Sequence, residues 1–238
     1  MLNRDAMLQH LRNHKPVIAP SMLKCDFGNL HDEVESLDAA GFPVLHLDVM
    51  DGHFVPNLSY GPMVIRSLRQ LTDTPFDAHL MISDPTSYLQ EYLDAGCEAI
   101  TIHLEAVPQP QKLLKQIKDA GAVAGLAINP DTPIEDAEPW LSECDLLLVM
   151  SVKPGFGGQA FMPEVLPKVR RARELAGDDL IISMDGGIAA DTIADCSAAG
   201  TDLFVAGSAV FDEENYRAAG RHLAQLAATV QPRQEQST

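Results

Sequence analysis

The stretch HLDVMDGHFVPN at residues 46–57 contains the end of an apolar strand and the loop that follows it. Its alternating β-branched and aliphatic residues are typical of a β-strand. Because side chains two apart on a strand point to the same face, His46 and Asp48 project together, away from Leu45 and Leu47. An Asp-Gly pair then ends the strand. An imidazole and a carboxylate therefore lie side by side where a strand opens into a loop.

Strands of this kind alternate with helices eight times along the chain. The predicted strands cover 16–21, 44–49, 76–81, 99–104, 123–128, 145–150, 180–184 and 203–206. Helices are predicted after them at 26–40, 62–71, 84–96, 109–120, 133–141, 162–175, 190–199 and 214–230, with a leading helix in residues 1–14 and a polar tail at 231–238. Nearly continuous apolar strands are typical of strands covered on both faces. The sequence therefore predicts one α/β domain over 1–238, a single (β/α)8 TIM barrel, in preference to a doubly wound open sheet.

The composition is that of an ordinary globular protein, with 46% hydrophobic and 21% charged residues. No apolar run approaches the roughly 18–20 residues of a membrane span, and the polar start has no signal-peptide core, so we expect a cytoplasmic protein. Four scattered cysteines without a CxxC pair favour reduced thiols. The net charge of −17 argues against a nucleic-acid or membrane partner. An anionic substrate stays compatible, because backbone dipoles and a metal ion act locally.

Polar side chains collect at the predicted carboxyl ends of the strands, where reactive groups lie in a barrel of this kind. They are Ser21, His46, Asp48, His79 and Asp185. Two histidines and two aspartates at one rim predict a site for one divalent ion such as zinc, iron, manganese or cobalt. A single His-x-Asp pair is common in protein cores, but four such side chains at equivalent strand ends favour a functional site.

Other residues near the strand ends have simpler interpretations. His103 is interpreted as a core histidine and His53 as an exposed or lid-like loop residue. Met50, Met81 and Met150 each end a strand. Methionine more often fills gaps in a core than contacts a ligand. Three at matching positions could nevertheless form an apolar cap for the active site, where a low dielectric strengthens electrostatic interactions.

Glycine-rich loops follow the last three strands. Their residues are Gly155, Phe156, Gly157 and Gly158 after strand six, Gly186 and Gly187 after strand seven, and Gly207 and Ser208 after strand eight. Glycines let backbone N–H groups approach an anion, and a short helix from residue 208 would add the positive end of its dipole. Loops after strands seven and eight often bind phosphate in this fold, so we predict phosphate binding, with simple turn glycines as the alternative. A nicotinamide cofactor is not expected, since Ala160 breaks the GxGxxG pattern.

Taken together, these motifs resemble the ribulose-phosphate 3-epimerase family from about Pro16 to Tyr216. The matching stretches are APS at 19–21, HLDVMDG at 46–52, FVPN at 54–57, HLM at 79–81, NP at 129–130, MSV at 150–152, PGFGGQ at 154–159, DGG at 185–187 and VAGSA at 205–209. They cover nearly the whole chain, and jointly they are highly specific.

The resemblance implies an isomerase that interconverts D-ribulose 5-phosphate and D-xylulose 5-phosphate at carbon 3 with one bound divalent metal ion. It implies the metal ligands His46, Asp48, His79 and Asp185. Of these, Asp48 would also accept the substrate proton and Asp185 would donate one. Substrate binding is implied for Ser21 and His79 at the sugar and for the three glycine loops at the phosphate. A homo-oligomer acting in carbohydrate metabolism, in the pentose phosphate pathway or the Calvin cycle, is expected.

The residue types suit this chemistry on their own account. Removing the proton beside a ketone gives an enediolate, whose negative charge a Lewis-acidic metal can stabilise. Epimerisation then needs an acid–base group on each face of the flat intermediate. Two carboxylates on opposite sides of the barrel mouth can supply them.

The chain departs from the family pattern at three places. Ser183-Met184 stands where relatives commonly have Glu-Val, Lys153 replaces Asn or Glu, and Lys24-Cys25 replaces Ser-Ala.

A phosphosugar decarboxylase or aldolase is disfavoured, because Met50 stands at the position of the lysine in the Asp-x-Lys-x-x-Asp motif that those enzymes share. An epimerase for a six-carbon ketose phosphate such as D-allulose 6-phosphate, and an inactive metal- or phosphate-binding protein, are the remaining alternatives.

Overall fold

Eight parallel strands lie side by side in the computed structural model, which describes residues 1–229 of the chain. They are β1 (Val17–Pro20), β2 (Leu45–Met50), β3 (Phe76–Met81), β4 (Ala99–His103), β5 (Val123–Ile128), β6 (Leu146–Met150), β7 (Ile181–Asp185) and β8 (Leu203–Ala206). Each strand from β2 to β7 pairs with the next one in sequence, and β8 pairs with β1. A bridge between Ser21 and His46 joins the first strand to the second and nearly closes the barrel. The predicted (β/α)8 barrel is confirmed.

Helices connect successive strands and surround the barrel. They are α1 (Arg4–Asn13), α2 (Leu30–Ala40), α3 (Pro62–Arg69), α4 (Pro85–Asp94), α5 (Gln111–Asp119), α6 (Ile134–Ala137), α7 (Leu166–Ala176), α8 (Ile193–Ala199), α9 (Ser208–Phe211) and α10 (Tyr216–Ala228). Within residues 1–229, no helix is both long and apolar enough to cross a membrane. The predicted polar tail at 231–238 lies outside the described residues.

The helix predicted from residue 26 begins later than expected. The Asp26 side chain accepts a hydrogen bond from the backbone N–H of Gly28 and caps a 3-10 turn at Phe27–Asn29, so α2 starts only at Leu30. Another 3-10 turn, Met22–Lys24, directly follows the first strand. These turns bring Lys24 to the carboxyl-terminal end of the barrel.

Apolar side chains form two core layers. One lies between strands and helices and includes Leu45, Leu47 and Val49, the residues predicted to point away from His46 and Asp48. The second fills the barrel interior and extends to α1, which covers the amino-terminal end. The alternation of a single strand thus separates the structural face from the face that carries the polar groups.

The barrel interior is tightly filled. A β-carbon at Gly125 of β5 would lie 2.1 Å from the hydroxyl oxygen of Thr101 on the neighbouring strand β4. Only glycine therefore fits there without displacing that strand. Because the barrel interior has no room for a ligand at the level of Gly125 and Thr101, we expect a ligand to bind at the carboxyl-terminal end of the barrel.

Candidate metal and substrate site

His46, Asp48, His79 and Asp185 converge at the carboxyl-terminal end of the barrel. One donor atom from each lies within 4.8 Å of the other three. Asp48 Oδ1 lies 3.5 Å from His46 Nε2 and 3.3 Å from His79 Nδ1. Asp185 Oδ2 lies 3.9 Å and 3.6 Å from the same two nitrogen atoms. Two carboxylates thus face the same pair of imidazoles.

Strand register explains this convergence. On neighbouring parallel strands, His46 pairs with Asp77 and Asp48 pairs with His79. All four side chains point into the barrel, because residues two apart share a face. Asp185 ends β7 on another side of the barrel. Residues that are distant in the sequence therefore meet above the inner core.

The His46 ring has one satisfied nitrogen and one unsatisfied nitrogen. Its Nδ1 lies 2.9 Å from Asp77 Oδ2 and donates to it, while its buried Nε2 has no hydrogen-bond partner among residues 1–229. Burial lowers the pKa of His46, but the carboxylates of Asp48 and Asp77 outweigh this and raise it well above its usual value. The cluster therefore favours a positive charge at this imidazole, which a proton or a metal cation can provide.

The His79 ring is oriented by a hydrogen-bonded chain. Its Nε2 lies 2.8 Å from His103 Nε2, and His103 Nδ1 lies 3.0 Å from Glu105 Oε2. The other carboxylate oxygen of Glu105 accepts hydrogen bonds from the backbone N–H of Asn129, at 2.7 Å, and from the hydroxyl of Thr132. The Glu105 carboxylate is thereby fixed in place.

The protonation states of His103 and Glu105 determine which atoms donate and which accept in this series of hydrogen bonds. Burial lowers the pKa of His103 to about 4, so this ring is neutral at pH 7. Burial acts to raise the pKa of Glu105, but hydrogen bonds led by that from His103 lower it to about 2. Glu105 is therefore an acceptor, His103 donates to it through Nδ1, and His103 Nε2 accepts from His79 Nε2. Burial acts to lower the pKa of His79, but hydrogen bonds to Asp185 and Asp48 outweigh this and raise it. Its Nδ1, which faces the cluster 3.3 Å from Asp48 Oδ1, is therefore the atom that a proton or a metal cation can occupy.

These four side chains fit one divalent metal ion. Such ions bind imidazole nitrogen and carboxylate oxygen at about 2.0–2.2 Å, which places neighbouring donors about 3.0–3.6 Å apart. Separations of 3.3 to 3.9 Å between the histidine and aspartate donors are close to this range. The unpartnered Nε2 of His46 is the atom that a metal would satisfy. Imidazole and carboxylate donors suit zinc, iron, manganese or cobalt.

The two carboxylates have different surroundings. Ser21 donates a hydrogen bond of 2.5 Å to Asp48 Oδ2, the oxygen that does not face the histidines. Burial acts to raise the pKa of Asp48, but His46 and His79 lower it well below its usual value. The Asp185 side chain is 15% exposed, compared with 4% for Asp48. Asp185 is thus the more accessible of the two.

A cavity of about 810 Å³ opens over the two carboxylates. It is lined by Ser21 and by every residue of the predicted glycine loops, namely Gly155, Phe156, Gly157, Gly158, Gly186, Gly187, Gly207 and Ser208. Met50, Met81 and Met150 also line it. Met50 and Met81 pack with Val55, whereas Met150 belongs to the inner barrel core. Of the predicted polar residues, Ser21, Asp48 and Asp185 line this cavity together with the glycine loops and the methionines, whereas His46 and His79 are fully buried and are not part of its lining.

The Gly186-Gly187 pair is also required by packing. A β-carbon at Gly186 would lie 2.4 Å from the Val152 side chain, and one at Gly187 would lie 2.7 Å from the backbone of Phe161. Both glycines also have positive φ angles, 114° and 64°. Their backbone can therefore follow a path along the cavity wall that residues with side chains would not allow.

Residues 17–211 match the sequence model of the family described as ribulose-phosphate 3 epimerase. The chain belongs to the ribulose-phosphate 3-epimerase family. It is 48% identical to the ribulose-phosphate 3-epimerase of Mycobacterium tuberculosis over 86% of this chain and 90% of the relative. It is 45% identical to that of Synechocystis sp. over 84% and 89%, and 43% identical to that of Escherichia coli over 84% and 91%. The resemblance and the expected enzyme class, an epimerase, are confirmed.

Solved structures support the same fold. The 3-keto-L-gulonate-6-phosphate decarboxylase of Vibrio cholerae superimposes with a TM-score of 0.68 over 92% of this chain and all of that chain, at 18% identity. A 3-hexulose-6-phosphate synthase superimposes with a TM-score of 0.66 over 88% and 99%, at 16% identity. At such low identity these matches concern the barrel alone.

The three departures from the ribulose-phosphate 3-epimerase pattern lie in different environments. Ser183 is fully buried in β7, and its hydroxyl has no hydrogen-bond partner among the described residues. Lys153 is exposed and lies 3.5 Å from Asp131, away from the cavity lining. Of Ser183, Lys153 and Lys24, only Lys24 lines the cavity.

Asp77, His103 and Glu105 belong to the site, although their sequence pattern was not interpreted as functional. Asp77 holds His46, and Glu105 holds His103, which was interpreted as a core histidine and contacts His79. The signal was present, because Asp77 shares a strand face with His79, and His103 precedes Glu105 by two residues as His46 precedes Asp48. His53 is exposed, as expected, and its Nδ1 lies 2.9 Å from the backbone oxygen of Asp51.

Proposed function

We propose that the protein interconverts D-ribulose 5-phosphate and D-xylulose 5-phosphate at carbon 3, with one divalent metal ion held by His46, Asp48, His79 and Asp185. The observation that supports this best is the unpartnered, buried Nε2 of His46 between two carboxylates that line the cavity. A buried imidazole nitrogen without a partner is costly unless a ligand satisfies it.

The two carboxylates are the acid–base pair. Asp48 accepts the proton from carbon 3, and Asp185 donates a proton to the opposite face. They come from β2 and β7, which are separated around the barrel by β1 and β8, so a flat intermediate can lie between them. Ser21 holds Asp48 Oδ2 and so orients that carboxylate. The reverse reaction exchanges the two roles.

The metal ion would act as a Lewis acid and stabilise the negative charge that develops when the carbon 3 proton is removed. Asp77 orients His46, while Glu105 and His103 orient His79, so that one free nitrogen of each ring faces the cluster. Such outer contacts fix the tautomer of metal-binding histidines.

Ser21 and the glycine loops line the cavity, whereas His79 is fully buried next to Asp48. In this proposal Ser21 and His79 contact the sugar, and the loops at 155–158, 186–187 and 207–208 hold the phosphate through backbone N–H groups. Met50, Met81 and Met150 cap the active site and exclude water, which strengthens the electrostatic interactions inside it. A metabolic enzyme of this kind is expected in the cytoplasm as a homo-oligomer, in the pentose phosphate pathway, and its charge of −17 disfavours nucleic acid as a partner.

A turnover assay tests the proposal. Purified protein is incubated with D-ribulose 5-phosphate and, in parallel, with D-allulose 6-phosphate, and the formation of each C3 epimer is measured. We expect a higher kcat/KM for the five-carbon substrate, abolition of activity by prolonged chelation, and recovery on adding a divalent ion. Preference for the six-carbon substrate would transfer the proposal to a hexulose-phosphate epimerase. Full activity in protein that elemental analysis shows to be metal-free would contradict the metal site.

A further inference from the structure

Acidic side chains dominate the walls of the cavity. Asp48, Asp185, Asp191, Asp212 and Glu213 all line it. Among residues 1–229, Lys24 is the only basic side chain in the lining. A phosphate monoester carries about −1.5 to −2 charges at pH 7, so an acidic cavity in a chain of net charge −17 opposes its entry. Without Lys24, only backbone N–H groups would be available to offset this repulsion.

The Lys24 side chain crosses the predicted phosphate loops. Its Cγ would lie 3.0 Å from a β-carbon at Gly207, and its Cδ would lie 3.6 Å from a β-carbon at Gly157. A β-carbon at Gly207 would therefore crowd the lysine stem, whereas one at Gly157 would be in ordinary van der Waals contact with it. Lys24 ends the 3-10 turn after β1, so it reaches the loops after β6 and β8 from a third strand.

The Lys24 ammonium group has a weakly held partner. Its Nζ lies 3.5 Å from Asp212 Oδ1, and the side chains of Lys24 and Asp212 are 35% and 62% exposed. An exposed ion pair at this distance contributes little to stability. A dianionic ligand with several acceptor oxygens can therefore replace Asp212 as the partner of the ammonium group.

We propose that Lys24 is a substrate-binding residue that supplies the positive charge for the phosphate, exchanging Asp212 for the phosphate oxygens when substrate binds. The proposal rests on the proposed function in taking a phosphorylated sugar as the ligand. It assigns a role to a position where this chain differs from the family pattern, in which serine is common. The glycine loops position the phosphate, and Lys24 compensates its charge.

Steady-state kinetics of Lys24→Met tests this role, because methionine retains an apolar stem against Gly157 and Gly207 and removes the charge. We expect KM for D-ribulose 5-phosphate to rise about tenfold, which is about 1.4 kcal/mol, with kcat changed less than twofold. Lys24→Arg should restore most of the affinity. The rise of KM with ionic strength should be smaller in Lys24→Met than in wild type, because one charge interaction is missing.

Two control variants separate phosphate binding from a structural role. Asp212→Asn frees the ammonium group and should leave KM unchanged or lower it. Lys153→Met removes a lysine whose ion pair with Asp131 is also 3.5 Å long but which lies outside the cavity lining, and it should have no effect on KM. Equal increases of KM in Lys24→Met and Asp212→Asn would show that the pair only anchors the loop, and would overturn the proposal. An unchanged KM in Lys24→Met would overturn it as well.

Calorimetric titration with inorganic phosphate separates this proposal from the proposed function. We expect Lys24→Met to weaken the Kd for phosphate about tenfold relative to wild type. Wild-type protein that binds phosphate in a Lys24-dependent manner but turns over neither ketose phosphate would contradict the proposed reaction alone. Wild-type turnover with phosphate binding that is insensitive to Lys24→Met would contradict the role of Lys24 alone.

Discussion

At the amino-terminal end of the barrel, α1 covers the inner core with Met7, Leu8 and Leu11, whereas at the carboxyl-terminal end the core gives way to buried histidines and aspartates. Charges at the first end are paired, as in the two contacts of 2.6 and 2.8 Å between Arg4 and Asp145. At the second end, the His46 Nε2 has no hydrogen-bond partner in the described part of the chain, and two carboxylates face the same rings. One end is arranged for stability and the other for binding positive charge, so substitutions at the two ends should affect different measurements.

The largest effect is expected from Asp185→Asn at the carboxyl-terminal end. The variant retains the size of the side chain but removes the acid for one face of the intermediate, so we expect kcat to fall by about 10²–10⁴-fold. In heavy water, Asp48 should still exchange the carbon 3 proton of one epimer with solvent, which NMR can detect. Elemental analysis must show that the variant holds metal, since Asp185 is also a proposed ligand. A metal-loaded variant with a near wild-type rate would contradict the two-carboxylate mechanism.

Leu11→Ala at the opposite end should affect stability instead. Leu11 is 1% exposed between α1 and the inner core, so the cavity left behind should lower the free energy of unfolding by about 2–5 kcal/mol. Denaturant titration measures this change, and kcat at 25 °C should stay within about twofold of wild type. Gln9→Ala is the matched control, because Gln9 is an exposed residue of the same helix. A large loss of kcat in folded Leu11→Ala would show that the two ends are coupled.

Glu105→Gln tests how far the carboxyl-terminal end depends on its outer contacts. The substitution removes the charge that holds His103 in the orientation that accepts from His79, so we expect the metal Kd to weaken about 10–100-fold. Competition with a chelator measures this Kd, and kcat at saturating metal should change little. Glu138→Gln, which removes the half-buried partner of Arg171, should leave the metal Kd unchanged. Equal metal affinity in both variants would rule out an orienting role for Glu105.

Gly158→Asp should give the smallest effect. Gly158 lines the cavity with φ of 75° and open space around its β-carbon position, so aspartate would bring a negative charge to the phosphate loop. We expect KM to rise about tenfold, which corresponds to about 1.4 kcal/mol. Gly121→Asp is the control for backbone strain, because Gly121 has φ of 86° and open space but lies outside the cavity lining. Similar KM values in Gly158→Asp and wild type would place the phosphate elsewhere.

The sequence was most informative for the strands, whose residues are buried on both faces of the sheet. Strands at 76–81, 123–128 and 203–206 have the predicted bounds, since apolar runs buried on both faces give a clear signal. Alternation placed His46 and Asp48 on one strand face. Position at the carboxyl ends of other strands, together with the family resemblance, added His79 and Asp185.

Contacts between loops distant in the sequence could not be predicted in this way. The path of Lys24 beside Gly157 and Gly207 depends on the 3-10 turn at Met22–Lys24, which lies between the strand predicted at 16–21 and the helix predicted at 26–40. The orientation of His79 depends on His103 and Glu105 from the adjacent strand. Alternation tells which face a side chain occupies, but ring orientation and hydrogen-bond direction depend on packing in three dimensions.

The junction between β1 and β2, which we call the seam of the barrel, lies beside the candidate site. Within residues 1–229, β1 and β2 share the single bridge between Ser21 and His46, reinforced by the hydrogen bond from Ser21 to Asp48. A ligand that contacts Ser21 and a metal that joins β2 to β7 would therefore link the two edges of the sheet. Their binding free energies would add to the resistance of the seam to local opening, so amide hydrogen exchange along β1 and β2 should report occupancy of the site.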